Sequence, residues 1–289
     1  MAITKVRRRF VFRDAEFPFH VGRGLLSTRR FPMHTHDFAE LVIIFGGQAV
    51  HRTGGCDYPI CAGDIFLIQG DRSHGFTDAR DLDIANIMYD PRLLDIPGEP
   101  LKKIPGYHAL FVLEPRYRPA HDFQSRLRLG PKDLPHVSEL VTRMEKECSA
   151  SQCGYQAMTT SLLLQLVTFL SRRYSGIKTT AGQSLLRVAS VISHIENHYQ
   201  DPITLGSLAG LAHMSPNQLL RVFRQATDLS PIDYLIRFRV NKARKLLLET
   251  DWSITDIAFR VGFTDSNYFT RQFRKISNIT PREFRAHAI

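Results

Sequence analysis

Two rhythms of apolar and polar positions divide the chain. Between residues 20 and 90 the apolar residues gather in short runs, at 41–45, 65–69 and 84–89, rich in Ile, Val, Phe and Tyr. Gly-Gly, Gly-Asp and Asp-Arg pairs interrupt them, so the runs read as strands separated by tight turns. Strands this short and close together predict a small sandwich or barrel rather than a parallel sheet flanked by helices. Residues 91–133 are rich in proline and predict an irregular excursion with a last strand or two. From Pro135 the spacing turns helical, first at Val137, Leu140, Val141 and Met144, then at Leu162, Leu163, Leu166, Val167 and Leu170. Residues 175–183 (SGIKTTAGQ) are small and polar and read as a flexible linker. Helical spacing then continues to the end.

That last stretch carries one pattern twice. Residues 205–231 (LGSLAGLAHMSPNQLLRVFRQATDLSP) and 254–281 (ITDIAFRVGFTDSNYFTRQFRKISNITP) align with one residue inserted in the second turn. Ala209 then matches Ala258, Asn217 matches Asn267, and Arg221 matches Arg271; Phe223, Arg224 and Pro231 match Phe273, Arg274 and Pro281. Repetition of a whole supersecondary unit is hard to produce by chance. Each copy parses as helix, short turn, helix. Thr204, and Ser253 with Asp256, supply caps for the first helix. Ser215 before Pro216, and Asp265 before Ser266, open the second. Gly262 suits a left-handed turn.

Leu219, Val222, Phe223 and Ala226 form the apolar stripe of one second helix, and Phe269, Phe273 and Ile276 that of the other. The opposite faces present Asn217, Gln218, Arg221 and Arg224 in one copy, and Ser266, Asn267, Thr270, Arg271 and Arg274 in the other. A helix-turn-helix of this kind places its second helix in a major groove. The residue types match the groove's chemistry: Arg pairs with guanine, Asn and Gln with adenine, and Thr offers a methyl to thymine. One such polar face would read equally well as solvated surface; two in tandem argue against that. Between the copies, residues 231–248 predict a helix of roughly 27 Å. It is long enough to hold two reading helices about one DNA turn, ~34 Å, apart.

Composition excludes whole classes of function. A chain of 289 residues predicts two domains, and its 43% hydrophobic content excludes disorder. No apolar run reaches the ~18–20 residues of a membrane span. The N-terminal MAITKVRRRF lacks the apolar centre of a secretory signal, so a cytoplasmic protein with no membrane partner is expected. Four cysteines in this length read as reduced, inert thiols rather than a disulfide framework. The net charge of +10 fits a polyanionic partner and equally a solvated surface, until its position is considered. In the C-terminal half the charge concentrates on the two reading helices and on Arg237, Arg239, Lys242, Arg244 and Lys245 of the linking helix. Double-stranded DNA is the polyanion those helices fit. One further cluster stands apart: His34 and His36, at alternate residues of a strand, share a face, and with the following Glu40 they are the kind of cluster that binds a metal. His74 comes later, after the Gly63-Asp64 turn.

The stretch SITDIAFRVGFTDSNYFTRQFRKISNITPREFR closely resembles the signature of the AraC/XylS transcription regulators, and residues 185–289 are similar to their whole DNA-binding domain. By that resemblance, base contacts fall on Asn217, Gln218, Leu220 and Arg221 in one helix, with Arg224 on the same face. Ser266, Asn267, Thr270 and Arg271 carry them in the other, with Arg274. Where the family usually has Gly two residues before the Ser/Thr-Pro, this chain has Asp228 and Asn278, which both tolerate a left-handed backbone. The N-terminal pattern resembles a cupin, a small double-stranded β-barrel whose metal-binding members use three His and one Glu. His34, His36, Glu40 and His74 are the matching residues, although GDRSH at 70–74 departs from the Pro-rich form of the second cupin motif. Sensor cupins of such regulators usually hold a small molecule, so no cofactor is expected; those four residues are the ligands if a metal is present.

HTHDFAELVIIFGG (residues 34–47), GDIFLIQGDRSH (63–74) and NIMYDP (86–91) are similar to the L-rhamnose-responsive activators within this family. That likeness implies a monosaccharide effector, with Arg52, Gln69, Asn86 and Tyr89 joining the His34, His36, Glu40 and His74 set in a pocket with apolar walls. The expected fold is a two-domain α+β protein. Residues 1–133 form a cupin-like β-barrel sensor, 134–175 its flanking helices, 176–184 a linker, and 185–289 an all-α domain with two helix-turn-helix units joined by a long helix. By resemblance it is a non-enzymatic activator of a sugar-catabolic operon, acting as a homodimer and contacting RNA polymerase. Similar regulators dimerise through helices after the barrel, which makes Leu162, Leu163, Leu166 and Leu170 candidates; packing on the barrel is the alternative. The competing function is a metal-dependent cupin enzyme with a helical appendage.

Overall fold

The runs at 41–45, 65–69 and 84–89 are strands of one bent sheet. The computed structural model describes residues 3–26, 30–53, 56–91, 99–118 and 123–286, and the chain forms two units, Met1–Leu186 and Arg187–Ile289. In the first, the strands are β1 (Thr4–Lys5), β2 (Phe19–Leu26), β3 (Arg30–Thr35), β4 (Ala39–Thr53), β5 (Cys56–Cys61), β6 (Asp64–Ile68), β7 (His74–Tyr89) and β8 (Leu127–Arg128). β4 pairs with β7 from Ala39 opposite Tyr89 to Thr53 opposite His74. The other edge of β4 carries β6 beside residues 40–43 and β5 beside 48–53. β7 likewise carries β2 beside 82–89 and β3 beside 74–77. Two long strands thus run through both halves of the sheet and wrap it into the barrel.

The wrap needs a bend, and register shifts between Ile44 and Val50 supply it. Gly47 sits there with φ at +72°, and a Cβ would lie 2.2 Å from the Asp81 carbonyl oxygen, so no other residue fits. Val42, Ile44, Ile60, Phe66, Phe76, Leu82 and Phe123 fill the interior. The other face, with Leu41, Ile43, Leu67 and Ile87, is equally buried. Helices cover it.

Part of the covering departs from what the proline content implies. The stretch expected to be irregular contains α1 (Glu99–Lys102), α2 (Pro105–Tyr107) and α3 (Glu114–Tyr117), with a π-helical turn, His108–Leu113, joining the last two. Its residues 92–98 and 119–122 lie outside the described residues. Pro105 and Pro115 occupy first-turn positions, where a helix tolerates proline. Arg118 forks onto both oxygens of buried Glu114 and donates to the Leu67 carbonyl at 2.6 Å, tying this element to β6. The remaining cover is α4 (Leu134–Ala150) and α5 (Tyr155–Ser175). Leu162, Leu163, Leu166 and Leu170 are at most 1% exposed within this unit, so they form core and are not available to a second subunit.

The linker expected at 176–184 is also shorter than its composition suggests. Helix α6 (Thr180–Asn197) starts inside it, because Thr179 Oγ1 accepts the Gly182 N–H at 3.2 Å as a cap. Ala181, Leu185, Val188, Ala189 and Ile192 are buried at helical spacing behind that cap. Only 176–179 remain between α5 and α6.

The second unit continues with α7 (Leu205–Leu211), α8 (Pro216–Thr227), α9 (Pro231–Glu249), α10 (Ile254–Arg260), α11 (Ser266–Ser277) and α12 (Pro281–Ala286). Both copies of the repeat lean on α9. Val240, Ala243 and Leu247 of α9 pack with Ile257, Ala258, Phe263, Phe269 and Phe273 of the second copy, while Phe223 of the first meets the Tyr234 ring at 5.8 Å. The caps read from sequence form: Thr204 and Ser207 make a reciprocal box, and Ser215, Ser253 and Asp265 each accept a backbone N–H. Asp228 and Asn278 adopt the left-handed conformation at the ends of α8 and α11. Among the described residues no helix is long and apolar enough to cross a membrane.

The turns between helices differ in one respect. His213, at φ +52°, takes the left-handed position that Gly262 takes at +94° in the second copy. A Cβ on Gly262 would lie 2.6 Å from the Tyr199 carbonyl oxygen, whereas one on Gly210 would meet nothing within 4 Å. Gly262→Ala is therefore expected to cost about 1–3 kcal/mol, and Gly210→Ala to stabilise α7 by up to about 1 kcal/mol. Urea unfolding of the two variants beside the parent checks the opposite signs.

Candidate functional site

The barrel interior gathers His34, His36, Glu40 and His74, with one ligand-type atom from each within 4.8 Å of the others. Strand pairing sets this up. His34 on β3 is the register partner of His74 on β7, and their rings lie 4.1 Å apart. His36 follows β3 and stacks on Phe38 at 4.2 Å. Glu40 enters from β4 and is buried; its Oε2 lies 2.8 Å from His36 Nε2 and 3.2 Å from His74 Nε2. Burial alone would raise the Glu40 carboxyl, but the His36 and His74 rings outweigh it and hold the group at about 2. Burial and the neighbouring His74 push His34 down.

A cavity of about 120 Å³ opens beside this cluster. Val6, Val11, Leu26, Phe31, Phe38, Phe76 and Met88 give it apolar walls, and His34, His36, Glu40 and Asn86 give it one polar end. Val6 and Val11 belong to the N-terminal segment, held by β1 against β3 and by Arg8 bonded to buried Asp90. Asn86 Oδ1 is buried there without a hydrogen-bond partner. A larger, open groove of about 500 Å³ lies elsewhere, lined in part by Arg126 and Arg128; both arginines already bind Asp64.

Three residues expected in the pocket lie outside it. Arg52 points outward and pairs with Asp57 at 3.0 Å, because the register shifts after Ile44 change which residues of β4 face inward. Gln69 donates to the Phe111 carbonyl at 3.4 Å. Tyr89 alternates with Met88 onto the outer, helix-covered face, where burial raises its hydroxyl well above the usual range. His51 takes the inward position instead, among Phe66, Phe76 and Phe123, with both ring nitrogens unpartnered. Burial pushes its imidazole well below the ordinary value, so the ring is neutral. Period-two alternation cannot find His51 across those shifts.

On α8, Asn217, Gln218, Arg221 and Arg224 are exposed and Leu220 is half-buried. On α11, Asn267, Arg271 and Arg274 are exposed, while Ser266 and Thr270 are half-buried. Thr270 Oγ1 donates to the Ser266 carbonyl at 2.9 Å, which leaves its methyl as the free group. Arginines of this unit differ in what they bond. Arg239 donates to the Tyr199 and Asp201 carbonyls at 2.6 and 2.9 Å, and Arg244 donates to Ser277 Oγ. Arg221, Arg224, Arg271 and Arg274 make no hydrogen bond or ion pair among the described residues. Charge held in reserve on two matched helix faces suits phosphate and guanine.

Residues 22–167 match an AraC-like ligand binding domain family and residues 208–287 a helix-turn-helix domain family. The HTH-type transcriptional activator RhaS of Enterobacter sp. (strain 638) is 31% identical over 260 residues, which is 90% of this chain and 89% of that protein. The protein of the same name from Escherichia coli O1:K1 / APEC is 30% identical over 88% of this chain and 87% of its own. A solved AraC-type transcriptional regulator from Chromobacterium violaceum is 33% identical over 35% of this chain and 91% of its own, with a TM-score of 0.34.

The division of arginines is measurable without DNA. Arg239→Ala is expected to lower the unfolding free energy by about 1.5–3 kcal/mol, since two charge-assisted bonds to carbonyls are lost. Arg221→Ala and Arg271→Ala are expected to stay within about 0.5 kcal/mol of the parent. Equal losses in urea denaturation would show that all three arginines hold the fold.

Proposed function

The chain belongs to the AraC family of transcriptional regulators, and from that premise we propose how its residues carry out a ligand-responsive activator's work. α8 and α11 enter successive major grooves of one duplex, spaced by α9. Arg221 and Arg271 read guanine, Asn217, Gln218 and Asn267 read adenine, and Leu220, Ser266 and Thr270 make the close contacts around them. Arg224 and Arg274, one turn along, meet phosphates or a further base. The observation that carries this reading is that four exposed arginines at matched positions of the repeat make no hydrogen bond or ion pair among the described residues, whereas Arg239 and Arg244 of α9 are hydrogen-bonded.

The effector occupies the cavity beside Glu40. A monosaccharide is the expected class: hydroxyls face Asn86 Oδ1 and the histidines, and a C–H face lies on Phe38 and Phe76. A homodimer would use the outer face of α5, where Leu164, Gln165, Thr168 and Phe169 with His136 line a shallow groove. RNA polymerase is the further partner that activation requires, and the cytoplasm is where these partners meet. A metal-dependent enzyme is not the reading that the relatives support.

Two measurements test the proposal. On a duplex selected from a random pool, Arg271→Ala is expected to weaken binding by about 1–3 kcal/mol and to relax preference at one base pair. An equal loss on all sequences would make Arg271 a phosphate contact only. Calorimetric titration of monosaccharides, L-rhamnose first, is expected to give binding that Asn86→Ala weakens roughly tenfold, as loss of one buried hydrogen bond implies. Heats for none of them would remove the sugar.

A further inference from the structure

We propose that the sensor unit carries a second ligand site, separate from the barrel cavity, which takes a hydroxylated monocarboxylate such as a sugar acid. The site is the open groove of about 500 Å³, whose polar lining includes Asp78, Arg80, Arg126 and Arg128, beside apolar Val50 and Pro59. One buried carboxylate assembles it. Asp64 is fully buried, and Arg128 forks onto both its oxygens at 2.6 and 2.9 Å. The Cys61 N–H and Arg126 Nε each add a bond at 3.0 Å. The fork and the Cys61 N–H already satisfy Asp64, so Arg126 brings a charge with no carboxylate of its own. Its side chain is only 18% exposed. Arg126 Nη1 donates to the Phe123 carbonyl, and the guanidinium lies over the Phe123 ring at 4.9 Å, contacts that fix its position without neutralising it.

Arg80 supplies a third guanidinium from β7, opposite Gln48 of β4. Among the described residues Arg80 and Asp78 make no hydrogen bond or ion pair, so both are open to a ligand. Three guanidiniums against Asp64 and Asp78 leave the groove one positive charge. A monoanion neutralises that charge, and a dianion overshoots it. The geometry makes the same choice. Arg126 and Arg128 are held by Asp64 along one edge, which leaves Arg126 Nη2 and Arg128 Nη1 unbonded among the described residues. Guanidiniums fixed in this way lose little freedom on binding, and their planar forks match a planar carboxylate. Asp78 only accepts, so it takes hydroxyl protons from the same ligand, while Val50 and Pro59 meet its C–H face.

The groove's position gives the site a consequence. Val50 and Arg80 lie at the register shifts where β4 bends against β7, and Arg128 belongs to β8, which pairs with β6. A ligand held by Arg80 and Arg128 together ties β7 to β8 across that bend. The bend decides which residues of β4 face inward, so occupancy of the groove braces the strand that carries Glu40 into the barrel. The inference does not depend on what the barrel cavity holds.

Calorimetric titration of the full chain with D-gluconate, D-glucuronate and D-galacturonate tests the site, with D-glucose 6-phosphate as the dianionic comparison. At least one of the three acids is expected to bind, more weakly as salt rises. Arg80→Gln is expected to weaken that binding by about tenfold or more, as loss of a charge-assisted hydrogen bond implies. Because Arg80 is exposed and bonds to nothing in the fold, the urea midpoint of this variant stays at the parent's value. Asn86→Ala, in the barrel cavity, leaves the acid's affinity unchanged, which separates this site from the one beside Glu40. No binding of the three acids at millimolar concentration, or equal binding by Arg80→Gln, would overturn the proposal. An affinity lost in Asn86→Ala and kept in Arg80→Gln would place the acid in the barrel and remove the second site. Tighter binding of the phosphate ester, lost in Arg80→Gln, would overturn the assignment of a carboxylate.

Discussion

The packing of both repeat copies on α9 is the constraint from which the C-terminal unit's chemistry follows. Phe223 on α8, and Phe269 and Phe273 on α11, are fully buried against this helix and the short helices α7 and α10. Once those stripes are committed inward, helical geometry leaves no choice about the opposite face. Arg221, Arg224, Arg271 and Arg274 must point out, and among the described residues none of them makes a hydrogen bond or ion pair; Arg271 rests over the Tyr268 ring. Two of the charges on α9 have another use. Arg239 ties the Tyr199 and Asp201 backbone to the helix, and Arg244 bonds to Ser277 at the end of α11. A positive domain therefore contains two kinds of arginine, one that builds the support and one that is carried by it.

The sensor barrel has its own governing feature, the bend in β4 and β7. Without the shifts between Ile44 and Val50, β4 would keep one set of residues facing inward along its length. With them, the inner face runs from Glu40, Val42 and Ile44 to Ala49 and His51. The bend brings β3 across β7 so that His34 and His74 become neighbours, and the polar cluster is placed between the hydrophobic filling and the cavity. Both units thus use irregular backbone at a few positions, Gly47 in one and Gly262 and His213 in the other, to aim side chains that regular structure could not aim.

Sequence patterns reached the two units unequally, for physical reasons. The C-terminal unit was legible almost residue by residue, because its contacts are local: caps, a 3.6-residue period and a repeat that checks itself. Thr204, Ser215, Ser253 and Asp265 all cap as their positions implied. In the barrel, the histidines and Glu40 were found because they form a compact motif. Arg52, Gln69 and Tyr89 were misplaced because which face of a strand a residue takes depends on long-range register, and His51 was missed for the same reason. The prolines of 99–117 and the small polar residues of 179–183 look like loop signals, yet each begins a helix: proline fits a first turn, and Thr179 serves as a cap.

In the proposed reading, one chain meets DNA with two helices held on a common support. Hydroxyl-radical and methylation footprinting of the full chain on its selected duplex tests it most directly. Protected major-groove windows in pairs, on one face of the duplex and about one helical turn (roughly 10 base pairs) apart, are the predicted result. A single window per chain, or a pair of windows on opposite faces of the duplex, would contradict the account.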